Sequence, residues 1–261
     1  MIRTELLELL EIAKNAASQA AAVHRRAMES GSLKLDTKSS TSDLVTEIDR
    51  EAECVLVDAI RAARQDDEII GEEGTSVSGT SGVRWVLDPL DGTTNFVHRY
   101  PAHSVSVGVE VDARNMIGVV HDTFSNRVYA GVVGEGSTCE GKPIRVRDES
   151  DLKRALIGTG FLPDENVRRK QADLLRQILP RVRDIRRSGC PSLDICSVAS
   201  GTLDGFYECG LGPWDIIAGA AIAEAAGATI RLLSSRVLPN PFFVVANAAL
   251  ISELVSVFVD T

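Results

Sequence analysis

The run "WVLDPLDGTTNF" sets two aspartates three residues apart at the end of an apolar stretch and follows them with glycine and two threonines. Asp88 falls at the carboxyl end of a predicted strand, where open sheets place ligand groups. Pro89 fixes the next φ angle and withholds a backbone donor. Asp91 follows on the same small turn, with the Leu90 carbonyl between the two acids. Carboxylates this close repel unless a cation neutralises them. Gly92 permits close backbone approach. Thr93 and Thr94 supply hydroxyls and amides where a helix can begin, and a helix start favours an anion. A hard cation and a phosphate are both accommodated. Asp-Pro-x-Asp-Gly is equally a plain turn composition, and the residue types alone leave both readings open.

Other acids stand in comparable places. "IIGEEG" ends a strand-like run in Glu72 and Glu73 just before a glycine, as a solvated acidic loop also would. "GPWDIIAGAAIAEAAG" puts Asp215 at a helix start, where an aspartate also serves as a cap. "TEID" puts Asp49 in the first turn of a helix, again a capping position. Lys38, in "KSS", sits in a polar loop and is otherwise a surface charge. Oxygen donors with no histidine or thiolate motif point to Mg²⁺ rather than zinc. Paired ions of this kind clamp a phosphate and activate water. Spacing by itself does not bring these acids together.

The elements that must position them fall into two groups. Residues 4–29 read as an amphipathic helix with Leu6, Leu9, Leu10, Ala13 and Ala17 on one face. After a polar break, a second helix runs from Thr46 to Arg64 with Ile48, Ala52, Val55, Leu56, Ala59 and Ile60 on its apolar side. Short β-rich runs follow ("DEIIGEEG", "VRWVLD", "HSVSVGVEV", "MIGVVHD", "RVYAGVVGEG"), and their close spacing predicts a largely antiparallel sheet. "CEGKPIRV" reads as a further short strand pair. From Leu152 onward strand and helix alternate, which predicts a mixed α/β sheet. The division falls near 145–152. Residues 1–150 then form an N-terminal α+β lobe with most of the candidate ligands, and 151–261 a C-terminal α/β lobe with Asp215.

Bulk properties exclude several classes. The 261 residues carry a net charge of −9, against broad nucleic-acid binding. Five scattered cysteines lack any C-x-x-C pair and read as reduced thiols. Four histidines are too few for a histidine-built site. No run approaches a membrane span, and Glu5, Glu8 and Glu11 in the first helix argue against a targeting peptide, so a cytoplasmic protein is expected.

"GEEG", "WVLDPLDGTTNFVHRYP" and "LGPWDIIAGAAIAEAAG", in that order, closely resemble the inositol monophosphatase family. That family belongs to the Mg²⁺-dependent, lithium-sensitive phosphatase superfamily that also holds the fructose-1,6-bisphosphatases. "KSSTSDLVTEIDREAE" and "GTLDGFYECG" extend the likeness over nearly the whole chain. The resemblance implies an α+β fold, a layered α-β-α-β-α sandwich, usually in a homodimer. It implies that Glu72, Asp88 and the Leu90 carbonyl hold one Mg²⁺. Asp88 would bridge to a second, completed by Asp91 and Asp215, with two or three ions per site. Thr93, supported by Asp49, would orient and deprotonate the attacking water, with Glu72 counted in the same catalytic set. The Gly92 and Thr93 amides would hold phosphate oxygens, and Glu208 and Asp215 would contact substrate hydroxyls. Glu73 and Lys38 would support the site less directly.

The implied substrate is a small polyol or sugar phosphate, inositol 1-phosphate first. Histidinol-phosphate phosphatases of this family tend to have Gly-Asp where this chain has Gly189-Cys190. A fructose-1,6-bisphosphatase needs a cationic pocket, and the stretch 168–187 sets many Arg and Lys against only Asp173 and Asp184. That run also reads as a solvated helix face or subunit contact. Some bacterial relatives are associated with RNA or transcription machinery, a non-catalytic role that would not require the full acid set. The chain departs from the family's usual pattern at Cys190-Pro191, at Gly212, at Ile217 and in the short segment 231–241.

Overall fold

The computed structural model describes residues 2–30, 35–37, 44–235, 238–239 and 241–259. Lys38 and part of the segment 231–241 lie outside the described residues. Apolar residues at helical spacing build α1 (Arg3–Ser30) and, after a two-strand hairpin of β1 (Leu35–Thr37) and β2 (Leu44–Thr46), α2 (Glu47–Ala63). Their apolar stripes, Ala13, Ala17, Ala20, Leu56 and Ile60 among them, are fully buried on one face of the first large sheet.

That sheet comprises β3 (Glu68–Gly71), β4 (Ser76–Val77), β5 (Val83–Asp91), β6 (Ser104–Val111), β7 (Arg114–Asp122), β8 (Arg127–Val132), β9 (Gly136–Cys139) and β10 (Lys142–Ile144), with the short α3 (Thr93–Val97) between β5 and β6. The order is β10-β9-β8-β7-β6-β5-β3-β4. All neighbours are antiparallel except β3 and β5, which run parallel because β4 folds back on the outer edge of β3 and leaves β5 to enter on the other side.

The second sheet is mixed, as alternation of strand and helix predicts. It contains β11 (Leu156–Thr159), β12 (Asp184–Arg186), β13 (Gly205–Cys209), β14 (Thr229–Leu233) and β15 (Phe242–Ala246) in the order β12-β11-β13-β15-β14. Its helices are α4 (Glu165–Ile178), α5 (Pro191–Ala199), α6 (Pro213–Ala225) and α7 (Ile251–Val259). The α5 and α6 helices lie between the two sheets, sharing a core with Val120 and Tyr129 of the first and Phe206, Phe243 and Val245 of the second. Helices α4 and α7 cover the outer face, against Ile157, Tyr207, Phe242 and Val244. The layers are therefore α-β-α-β-α, an α+β sandwich. No described helix is long and apolar enough to cross a membrane.

One local expectation is corrected. Asp91 does not leave the strand on a turn, because β5 continues through Pro89 to Asp91, and Asp91 still pairs with Ser104. Pro89 has no N–H to give to the ladder, so the register slips between Asp88 and Asp91 and the strand bulges there.

Candidate metal and phosphate site

The bulge re-aims two acids that a regular strand would have set apart. Asp88 is almost wholly buried, and its Oδ1 accepts the Leu90 N–H at 3.0 Å. β3 runs parallel to β5 with Gly71 opposite Leu87, and the Glu72 N–H donates to the Leu87 carbonyl at 3.1 Å. Glu72 is thereby delivered beside Asp88, and the two carboxyl groups share a hydrogen bond.

Asp215 arrives from the other half of the chain. Gly108, Gly118 and Gly131 stand side by side across β6, β7 and β8 and form a groove free of side chains. Helix α6 lies in that groove. A β-carbon at position 118 would stand 2.0 Å from the Ala218 carbonyl oxygen, and one at 131 would stand 2.9 Å from the Ile222 Cα. Ile217, larger than the family's usual residue, lies over Gly108. Ser106, Asn115 and Ser137 donate to the carbonyls of Trp214, Ile217 and Ile222, fixing the helix along its length. Asp215, at the third position of α6, accepts the Gly212 N–H at 2.6 Å, so its capping role is real. Gly212 has no room for a side chain because the Trp214 indole lies against it. Capping does not exhaust Asp215, since Asp88, Asp91 and Asp215 each present an oxygen within 4.8 Å of the others.

Asp91 is held from behind. Its Oδ2 accepts the Ser192 N–H at 2.7 Å and the Cys190 thiol at 3.0 Å, both from the start of α5. Ser104, its partner across the ladder, bonds Ser192 Oγ at 2.8 Å and touches the Cys190 sulfur. Burial raises the Cys190 thiol well above its ordinary pKa, which keeps it a protonated donor. The unusual Cys190-Pro191-Ser192 string thus orients an acid.

The electrostatics follow from this crowding. Burial, and then Glu72, Asp91 and Asp215, push Asp88 well above the carboxylate range. Burial, then Asp91 and Glu72, push Asp215 up. Asp91 is also raised by burial, although the Ser192 and Cys190 hydrogen bonds oppose the shift. No cationic side chain is among the causes of any of these three shifts. Carboxyl groups this close, with Asp88 and Asp91 buried, ionise together only with a cation among them. The donor set is all hard oxygen, which suits Mg²⁺ in chemistry.

Next to the acids, Gly92 takes φ +89°, and a β-carbon there would stand 2.8 Å from the Ala102 carbonyl oxygen, so only glycine fits the step into α3. The Thr93 hydroxyl donates to the Leu90 carbonyl at 3.0 Å. Asn95 clamps the Ala102 and Ser188 carbonyls at 2.7 and 2.9 Å, joining α3 to the loop before α5. Asp49 is buried in the first turn of α2. Glu73 follows on the loop after β3, its N–H bound to Glu53.

Glu208, the penultimate residue of β13, lies close beneath Gly160, where a β-carbon would stand 2.0 Å from its carboxylate. Burial, and then Asp215, Asp194 and Asp91, raise it well above the usual range. Asp194 is pushed up by burial to about 7, against the Ser188 hydroxyl bond at 2.7 Å. Glu208 therefore belongs electrostatically to the same acidic pocket. The groups that sequence reasoning passed over are Glu53, Ser192, the thiol of Cys190 and the glycine row.

Comparison with known proteins identifies the family and the fold. The model of the inositol monophosphatase family matches residues 5–258. Inositol-1-monophosphatase SuhB of Mycobacterium tuberculosis (strain ATCC 25618 / H37Rv) is 39% identical over 267 residues, covering 95% of this chain and 92% of the relative. Nus factor SuhB of Pasteurella multocida (strain Pm70) is 37% identical over 224 residues, covering 85% of this chain and 84% of the relative. The crystal structure of extragenic suppressor protein suhB from Bartonella henselae superposes with a TM-score of 0.89 at 27% identity, covering 96% of this chain and 98% of that one.

Proposed function

The chain belongs to the inositol monophosphatase family, and we propose that it is a Mg²⁺-dependent phosphomonoesterase acting on a small polyol or sugar phosphate, inositol 1-phosphate first. The observation that carries this reading is the meeting of Asp88, Asp91 and Asp215 within 4.8 Å, with Glu72 bonded to Asp88, and no cationic side chain among the causes that shift these three aspartates. In it, Glu72, Asp88, the Leu90 carbonyl, Asp91 and Asp215 would hold Mg²⁺. Bound there, the metal supplies charge neutralisation at the phosphoryl group and a water of lowered pKa.

The chain's own groups do the rest. Thr93 would position the attacking water and take its proton while passing its own hydroxyl proton to the Asp49 carboxylate behind it. The Gly92 and Thr93 amides donate to phosphate oxygens. Glu208 and Asp215 accept from hydroxyls of the leaving alcohol. Glu73 and Lys38 support the loops around the site. The working form we infer is a cytoplasmic homodimer, as the family resemblance implies.

The test is phosphate release from inositol 1-phosphate, with fructose 1,6-bisphosphate and histidinol phosphate beside it, in Mg²⁺ and in chelator. Release from inositol 1-phosphate that vanishes in chelator and in Asp91→Asn is expected. Release undiminished in Asp91→Asn would overturn the reading.

A second reading is favoured by the Nus factor names of some relatives and by the basic run on α4 and after it. Arg169, Arg176 and Arg186 are paired with Glu165, Asp173 and Asp184, which neutralises part of that run and ranks an RNA-associated role second. Salt-sensitive retention of RNA by the purified protein would raise it, and none at low salt would dismiss it.

A further inference from the structure

The loop that carries Glu72 is anchored by an acid that is not itself a candidate ligand. Glu53 lies on α2 and is only 4% exposed. Its Oε2 accepts the Glu73 N–H at 2.9 Å, and its Oε1 accepts the Thr75 N–H at 3.0 Å and the Thr75 hydroxyl at 2.6 Å. Both oxygens are thus occupied by loop donors. A buried carboxylate is tolerable when hydrogen bonds replace its lost hydration, and such charge-assisted bonds are short and strong.

The glycines of "GEEG" are explained by the same contact. A β-carbon at position 71 would stand 2.3 Å from Glu53 Oε2, so the carboxylate fits under the loop only because residue 71 is glycine. Gly74 takes φ +109°, which lets the chain turn back so that the Thr75 carbonyl accepts the Gly71 N–H at 2.9 Å. Residues 71–75 form a closed turn whose hub is Glu53. On its far side the Glu72 N–H is tied to Leu87 of the strand that carries Asp88.

We propose that Glu53 is the positioning residue for the Mg²⁺ site: it holds the 71–75 turn so that Glu72 is set against Asp88 before the metal arrives. This rests on the metal-site reading above. Groups behind a ligand commonly tune metal affinity, because they fix the ligand's orientation. In Glu53→Gln the carboxamide retains one acceptor and turns an NH₂ against an N–H of the loop. The turn loses its hub while every ligand side chain is chemically unchanged.

The experiment is calorimetric titration of the full chain with Mg²⁺, for wild type, Glu53→Gln and Thr75→Val, with far-ultraviolet circular dichroism to confirm folding. Weaker Mg²⁺ binding by about 10- to 100-fold is expected in Glu53→Gln, as for outer-shell groups elsewhere. A smaller loss is expected in Thr75→Val, which removes only the 2.6 Å hydroxyl bond. The Mg²⁺ concentration for half-maximal phosphate release should rise in parallel, with kcat at saturating Mg²⁺ little changed. Wild-type Mg²⁺ affinity in a folded Glu53→Gln would overturn the inference. If Glu53→Gln does not fold, wild-type affinity in Thr75→Val overturns it instead. A wild-type chain that binds no Mg²⁺ would refute the metal-site reading itself, which separates the two failures.

Discussion

Gly118 of β7 lies against the backbone of Ala218 in α6, so near that a β-carbon on residue 118 would stand 2.0 Å from the Ala218 carbonyl oxygen. This contact sets how deep α6 sits between the sheets, and hence where Asp215 stands relative to Asp88 and Asp91. A backbone neighbour gives way less easily than a flexible side chain. Gly118→Ala should therefore displace α6 and destabilise the fold by about 3 kcal/mol, the upper end of ordinary overpacking. Mg²⁺ binding should weaken in the same variant, whereas Gly134→Ala, in open space but at φ +89°, should cost about 1 kcal/mol of backbone strain and leave Mg²⁺ binding intact. Thermal unfolding and Mg²⁺ titration of the two variants check this.

The glycine row was open to reading in advance and was passed over. Glycine is unfavourable inside a strand, and three neighbouring β-runs each carry one, a pattern that marks close approach by another element. Glu53 left a similar trace, an acid on the apolar stripe of α2 between Ala52 and Leu56. Such a residue is buried and satisfied or is not on the stripe at all. The two sheets and their main helices followed well from periodicity and turn residues, because each element's apolar face is continuous, whereas the layer order came from the family resemblance. The meeting of Asp215 with Asp88 and Asp91 was different in kind. Residues over a hundred positions apart meet only through tertiary packing, so spacing was silent and the family resemblance alone pointed there. The β5 bulge was hidden for a related reason, since Asp-Pro-Leu-Asp-Gly has turn composition and only the pairing of Asp91 with Ser104 keeps it in the sheet.

Asp215 does two jobs with separable chemistry, capping α6 and facing the other acids. Asp215→Asn keeps an oxygen for the Gly212 N–H but removes the charge, whereas Asp215→Ala removes both and should forfeit about 1 kcal/mol of helix capping. Asp215 has a folded pKa raised by burial, Asp91 and Glu72, so its contribution is present below the ordinary aspartate pKa and is lost as pH climbs through the raised value. In chelator, wild type should accordingly lose stability relative to Asp215→Asn as pH rises from 5 to 8. Added Mg²⁺ should reverse the order, stabilising wild type by about 2.7 kcal/mol at a hundredfold excess over Kd and the variant much less. Unfolding curves at several pH values, with and without Mg²⁺, read both effects. Equal Mg²⁺ stabilisation of the two proteins would remove Asp215 from the ligand set.

A different group governs the acid limb. His24 of α1 is buried against Phe96 and His103, with Nδ1 3.3 Å from the Thr123 hydroxyl. Burial, and then the neighbouring His103, lower its pKa from 6.5 to about 3. His103 and His121 are lowered too, chiefly by burial. A histidine lowered in this way binds its proton more readily in the unfolded chain, and stability falls as pH drops from about 6.5 towards 3. At pH 4 the loss due to His24 alone is about 3 kcal/mol. His24→Gln, which retains polar contact with Thr123 but does not titrate, should begin less stable at pH 7 through imperfect packing and then lose less on acidification. The two stability curves should converge between pH 6.5 and 4, measured by urea unfolding in chelator so that the acid cluster is compared in one metal state. Parallel curves across that range would assign the acid sensitivity to other groups.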